Sequence, residues 1–138
     1  IKDDIWTVPA ERMKARVGKA QDFRVPLSGE AQRVIDLARP FEREGFLFPS
    51  VRKGVISDAT MARYMERQRL VARPHGFRAS LRTWLAERTD APHEVAEAML
   101  SHVTDSKVVR TYRQTDFLEQ RRKLMEKWAA HVCGTNLA

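Results

Sequence analysis

The chain has 138 residues, 43% of them apolar, which allows one modest domain with a real core and argues against disorder. With 25 Lys and Arg against 18 Asp and Glu, the formal net charge is +7, a balance that favours nucleic acid or an acidic membrane surface without conferring specificity. The single cysteine, Cys133, excludes an intramolecular disulfide and a cysteine-rich zinc site, no run is long enough to span a membrane, and the first residues lack the order of a signal peptide, so a reducing cytoplasm is expected.

In chain order, the β-prone Ile5, Trp6, Thr7 and Val8 lead into a polar, basic segment containing Gly18, and a second short run follows in FRVPLS at 23–28. This predicts an antiparallel hairpin with a long basic loop. Pro9 and Pro26 each lack a ladder donor, so both strands should lie at edges or end early. Ser28 is a candidate N-cap with Glu30 close behind, and Ala31, Val34, Ile35, Leu37 and Ala38 follow at helical spacing until Pro40.

GFLFPS at 45–50 is a short apolar piece ended by proline, and SVRKGVIS is a basic connector. Ser57 can cap a helix running to about Leu70, with Met61, Tyr64, Met65 and Leu70 on its buried side. After Pro74 a helix should start near His75 and carry Phe77, Leu81, Trp84 and Leu85 inward. Pro92 suits the first turn of the next helix, whose stripe is Val95, Ala96, Met99 and Leu100. The segment SKVVRTYRQ is short and compatible with a helix. From Asp116 to about Val132, the residues Phe117, Leu118, Leu124, Met125, Trp128 and Val132 make an amphipathic last helix, with the charge run EQRRKLMEK as its wet face. The fold class read from this pattern is α+β, mainly α: a strand-loop-strand over 1–27 and a helical body over 28–138, without repeats or a flexible linker. A chain that opens on Ile1 in the middle of such a pattern is expected to be part of a longer protein.

Two stretches concentrate polar chemistry. In RPHGFRASLRTW, at 73–84, His75 and Arg78 stand one helical turn apart at the head of a helix. A guanidinium fork binds two phosphate oxygens, a histidine on the same side can add a third contact, and the helix dipole favours an anion. The plainer reading is a capping histidine beside a solvated arginine. In LSHVTDSKVVRTYRQ, at 100–114, Tyr112 is flanked by Arg110 and Arg113 with His102 upstream. A tyrosine hydroxyl, with a pKa near 10, is a weak nucleophile until cations hold a phosphodiester in line and an acid protonates the leaving oxygen. The plainer reading here is a ring packed between helices with its hydroxyl at the surface. His93, His102 and His131 lack a metal-ligand spacing on one helix face, so no metal site or cofactor is expected. Met61, Met65, Met99 and Met125 read as core fillers.

Together these stretches resemble the tyrosine recombinases, in particular the integrases of prophages and genomic islands. HGFR resembles the family's His-x-x-Arg motif, LSH its Leu-Gly-His segment, VVRTYRQTDFLEQRRKLMEKWAAHV its nucleophile segment with the following helix, and WTVPAERMKAR with FRVPLS its strand-loop-strand unit. The resemblance covers nearly the whole chain in the expected order. It implies a helical recombinase catalytic domain, present in its C-terminal part, that cleaves and rejoins double-stranded DNA through a 3′-phosphotyrosyl link to integrate or excise a mobile element. By that resemblance Tyr112 is the nucleophile, Arg78 and His75 grip the non-bridging oxygens, His102 supports the phosphate, and Lys14 protonates the leaving oxygen, with Lys19 as the alternative. It also implies a tetramer on two duplexes when full length, the last helix packing partly on a neighbour, in the cytoplasm of a bacterial host.

Two departures stand out. Ser101 replaces the glycine commonest before the histidine. The family's further arginine, from a helical segment upstream of the strand pair, has no counterpart after Ile1, so the 138 residues alone are expected to cleave poorly or not at all, and to be monomeric without DNA. The rival readings are a type IB topoisomerase, a degenerate integrase that only binds DNA, and a non-catalytic module using residues 60–84 as a helix-turn-helix.

Overall fold

A computed structural model of the protein describes residues 1–13, 21–101 and 115–134. The architecture is α+β and mainly helical, with one small two-stranded antiparallel sheet. The chain forms two compact units, residues 1–32 with 89–138, and residues 33–88.

In the discontinuous unit, strands β1 (Ile5–Val8) and β2 (Phe23–Pro26) pair with Ile5 opposite Pro26 and Val8 opposite Phe23. The predicted hairpin is there, and both prolines act as expected: β1 stops before Pro9, and Pro26 closes β2 on a sheet that has only edges. Beyond the Val8–Phe23 pair, the Ala10 N–H donates to Asp22 Oδ1 at 3.0 Å, pinning the loop's mouth beside a 3-10 turn at Ala10–Arg12. Helix α1 (Gly29–Ala38) starts where Ser28 predicts, its Oγ accepting from Ala31 N at 3.3 Å. A second cap comes from far along the chain: Glu126 Oε1 accepts the Gly29 N–H at 2.9 Å. Pro40 ends α1 in a 3-10 turn, Arg39–Phe41.

The later part of this unit supplies helices α4 (His93–Met99) and α5 (Leu118–Cys133), and α5 packs on both β2 and α4. Val95, Ala96 and Leu100 are buried with Pro26 and Leu27, as their stripe predicts, while Met99 is half-buried. Pro92 sits at the N-cap rather than inside the first turn, its carbonyl accepting from Val95 N and Ala96 N. Two expectations for α5 fail. It begins at Leu118, because the Asp116 carboxylate is drawn to Arg24 and Phe117 takes a left-handed backbone, φ 57°. And Val132, at the far end of the stripe, is exposed, since no described element of its unit covers that turn.

In the second unit, α2 (Ala59–Arg67) and α3 (Gly76–Arg88) bury Met65, Trp84 and Leu85. Helix α2 stops three residues short of Leu70, where Arg69 turns left-handed at φ 57°. Ser57 is not a side-chain cap for it; its hydroxyl meets that of Thr60 at 3.0 Å instead. Met61, Tyr64, Leu70 and Phe77, all expected on buried faces, are exposed. Helical spacing marks a face that can be buried, and among the described residues of this unit nothing covers these. Residues 48–56 fold back on themselves, Ser50 N donating to Gly54 O and Ile56 N to Phe48 O, with Gly54 at φ 70° making a turn that side chains resist.

Candidate active site

The head of α3 is built by its preceding turn. The Arg73 guanidinium donates to Leu70 O at 2.6 Å and Ala72 O at 3.0 Å and lies 3.6 Å from Glu66, folding the connector against the end of α2. Gly76, Phe77 and Arg78 N–H groups donate to Arg73, Pro74 and His75 carbonyls. The first-turn donors are therefore spent within the turn, so the helix offers an anion its dipole and its side chains rather than free amides. His75 and Arg78 are both exposed, and among the described residues neither side chain has a hydrogen-bond or ion-pair partner. An arginine without a carboxylate beside it is available to an external anion.

Lys14, Lys19, His102 and Tyr112 lie outside the described residues, as do Arg110 and Arg113. The residues that flank them are placed, all within the discontinuous unit. Lys14 and Lys19 fall in the sequence between Ala10 and Asp22, which the bond from Ala10 N–H to Asp22 Oδ1 ties together. Just before His102, Ser101 adopts φ 53° and its N–H donates to Ala98 O at 3.2 Å. That is the left-handed residue that ends a helix, a position where glycine has no Cβ to strain, which accounts for glycine being commonest there.

Downstream of Tyr112, Asp116 is held from two directions. Arg24 of β2 binds its Oδ2 through Nε and Nη2, each at 2.8 Å, and Arg121 of α5 donates to its main-chain oxygen at 3.3 Å. Arg121 also donates to Arg24 O at 2.6 Å, with its guanidinium carbon 4.9 Å from the centre of the Phe23 ring. At 2% exposure Arg121 is a buried charge, which contradicts the reading of the run EQRRKLMEK as wholly wet. Burial pulls the guanidinium below its ordinary range, Asp116 opposes that shift and Arg24 adds to it. It stays charged, as arginine does, at a desolvation cost on the order of several kcal/mol. The half-exposed Arg24–Asp116 pair contributes at most about 1 kcal/mol of stability.

Sequence reasoning missed this knot because Arg24 lies more than ninety residues along the chain from both Asp116 and Arg121, and the local charge pattern gives no signal of a contact at that range. Among the described residues no three His, Cys, Asp or Glu side chains gather as metal ligands, and His131 lies beside Trp128, ring centres 5.7 Å apart. No helix among the described residues is long and apolar enough to cross a membrane.

The chain is similar to prophage integrase IntA of Escherichia coli strain K12, 38% identical over 130 residues that make up 90% of this chain and 30% of IntA. It is also similar to prophage integrase IntZ of the same strain, 33% identical over 135 residues, 94% of this chain and 32% of IntZ. The chain thus spans about a third of the length of these relatives. Neither a protein-family model nor a solved structure matches it. Similarity sustained over nine-tenths of its length supports a relationship of the chain to the phage integrase family.

Proposed function

We propose that this chain carries strand-transfer chemistry of a site-specific DNA integrase that inserts or excises a mobile element. Tyr112 Oη attacks the scissile phosphorus, a phosphotyrosyl bond forms at the 3′ side, and the bond to the 5′ oxygen breaks. The tyrosine's proton passes to a neighbouring base or water, and the leaving oxygen takes one from Lys14, with Lys19 as the alternative donor. Arg78 and His75 hold the non-bridging oxygens and His102 adds a hydrogen bond. The phosphotyrosyl link conserves the energy of the broken one, so attack by another 5′-hydroxyl rejoins DNA without external energy.

The observation that carries this reading is the head of α3, where His75 and Arg78 are exposed and unpartnered among the described residues. The integrase names of the relatives support it, and so does the net charge of +7. The rival helix-turn-helix reading fits less well: residues 68–75 between α2 and α3 are twice the three or four of that motif's turn. The proposed partner is double-stranded DNA, bound by a tetramer in which α5 reaches a neighbouring protomer, a role that the exposed Val132 suits.

The test uses the protein in the longest form its host encodes, as wild type and as Tyr112→Phe. Covalent protein-DNA complexes are isolated under denaturing conditions and the modified peptide is identified by mass spectrometry. A nucleotide adduct on Tyr112, absent from the variant, is expected. DNA binding without any adduct would replace this reading with the binding module.

A further inference from the structure

We propose that Arg121 is a positioning residue for the strand-transfer reaction, fixing the downstream anchor of the tyrosine segment against the hairpin whose loop carries the lysine. The inference rests on the integrase reading above and assigns a role that neither the motifs nor the relatives supply.

Three observations converge on it. First, residues 24 and 116 are bound to each other through side chains and through main chain at once. The Arg24 guanidinium holds the Asp116 carboxylate at 2.8 Å, while Arg121 donates to both main-chain oxygens, Arg24 O at 2.6 Å and Asp116 O at 3.3 Å. Second, the arrangement is a poor solution if stability is its purpose. An apolar side chain of similar volume would pack at this place without desolvating a charge. Here the guanidinium lies over Phe23 and leaves its Nε buried without a partner, between one carboxylate and a second guanidinium. What arginine supplies that an apolar residue does not is a rigid fork with donors to two separate stretches of backbone.

Third, the stretches it joins flank the proposed chemistry. Asp116 follows Tyr112 by four residues in the sequence. Arg24 follows Asp22 by two, and Asp22 holds the Ala10 N–H at the mouth of the loop that contains Lys14 and Lys19. Nucleophile and acid must meet one phosphate from opposite ends of the bond being exchanged, and a misplacement of about 1 Å can cost about 10²-fold in rate. A residue that locks 116 to 24 therefore acts on the reaction through geometry, without touching the phosphate.

The experiment compares wild type, Arg121→Met and Arg121→Lys in the longest form the host encodes, with Tyr112→Phe as the blank. Three quantities are measured: the Kd for attachment-site DNA, the rate of covalent adduct formation at saturating DNA, and the thermal midpoint. Arg121→Met should lose about 10-fold or more in adduct rate while the Kd moves by less than about 3-fold, and Arg121→Lys should recover part of the loss. An Arg121→Met protein that forms adduct at the wild-type rate per bound molecule, even with a lowered midpoint, would overturn the proposal and leave Arg121 a packing residue. Should Arg121→Met fail to fold, Arg121→Lys decides: it keeps the charge but lacks the fork that reaches both main-chain oxygens, and a wild-type adduct rate there overturns the proposal. A wild type without adduct would sink the integrase reading itself, and this inference with it.

Discussion

Replacing Ser101 with glycine should stabilise the protein. Ser101 ends α4 at φ 53°, where its Cβ crowds the following carbonyl, a strain of about 1–2 kcal/mol for an ordinary side chain. Glycine removes that strain but has more freedom to lose on folding, about 0.5–1 kcal/mol. The difference leaves about 0.5–1 kcal/mol in favour of Ser101→Gly, a rise in Tm of about 2–4 °C for a domain of this size. The main-chain bond from Ser101 N to Ala98 O survives either way, so the gain is conformational. Urea unfolding of wild type, Ser101→Gly and Ser101→Ala would measure it; alanine keeps the Cβ, so it should match serine within about 0.5 kcal/mol. Destabilisation by glycine would refute the reasoning and mean that the serine hydroxyl contributes more than its backbone costs.

Two further changes test other parts of the molecule. Arg78→Ala should lower adduct formation on the order of 10²-fold while leaving the urea midpoint nearly unchanged, because the side chain is exposed and unpartnered among the described residues. Equal losses of activity and stability would instead make Arg78 structural. Glu126→Ala should cost about 1 kcal/mol in the same unfolding assay by leaving the Gly29 N–H without its carboxylate, and Glu126→Gln should cost less.

What the sequence makes legible here is local. β-branched and aromatic residues bounded by Pro9 and Pro26 predict the hairpin, Ser28 and Pro40 delimit α1, and Val95, Ala96 and Leu100 name the buried face of α4. The His75 and Arg78 pair is legible as well, as the head of a helix with two exposed polar side chains. Long-range choices are not. Nothing within ten residues of Arg121 distinguishes it from the Arg122 beside it; burial is decided by Phe23 and Arg24, which only the folded chain brings there. The stripe of Met61, Tyr64 and Leu70 fails for the converse reason: spacing gives a helix an apolar face, but whether that face is covered depends on what lies opposite.

The discontinuity of the first unit bears on how the chain is made. The bonds that join β2 and α1 to α5, from Arg121 to Arg24 and from Gly29 to Glu126, each span 97 residues. At a synthesis rate of about 5–20 residues per second, the hairpin leaves the ribosome several seconds or more before α5 exists. Through that interval β2 has neither Arg121 over Phe23 nor a partner for Arg24, and a two-stranded hairpin alone is marginally stable in water. The nascent hairpin is thus left without its packing partners until the last helix arrives to close the unit.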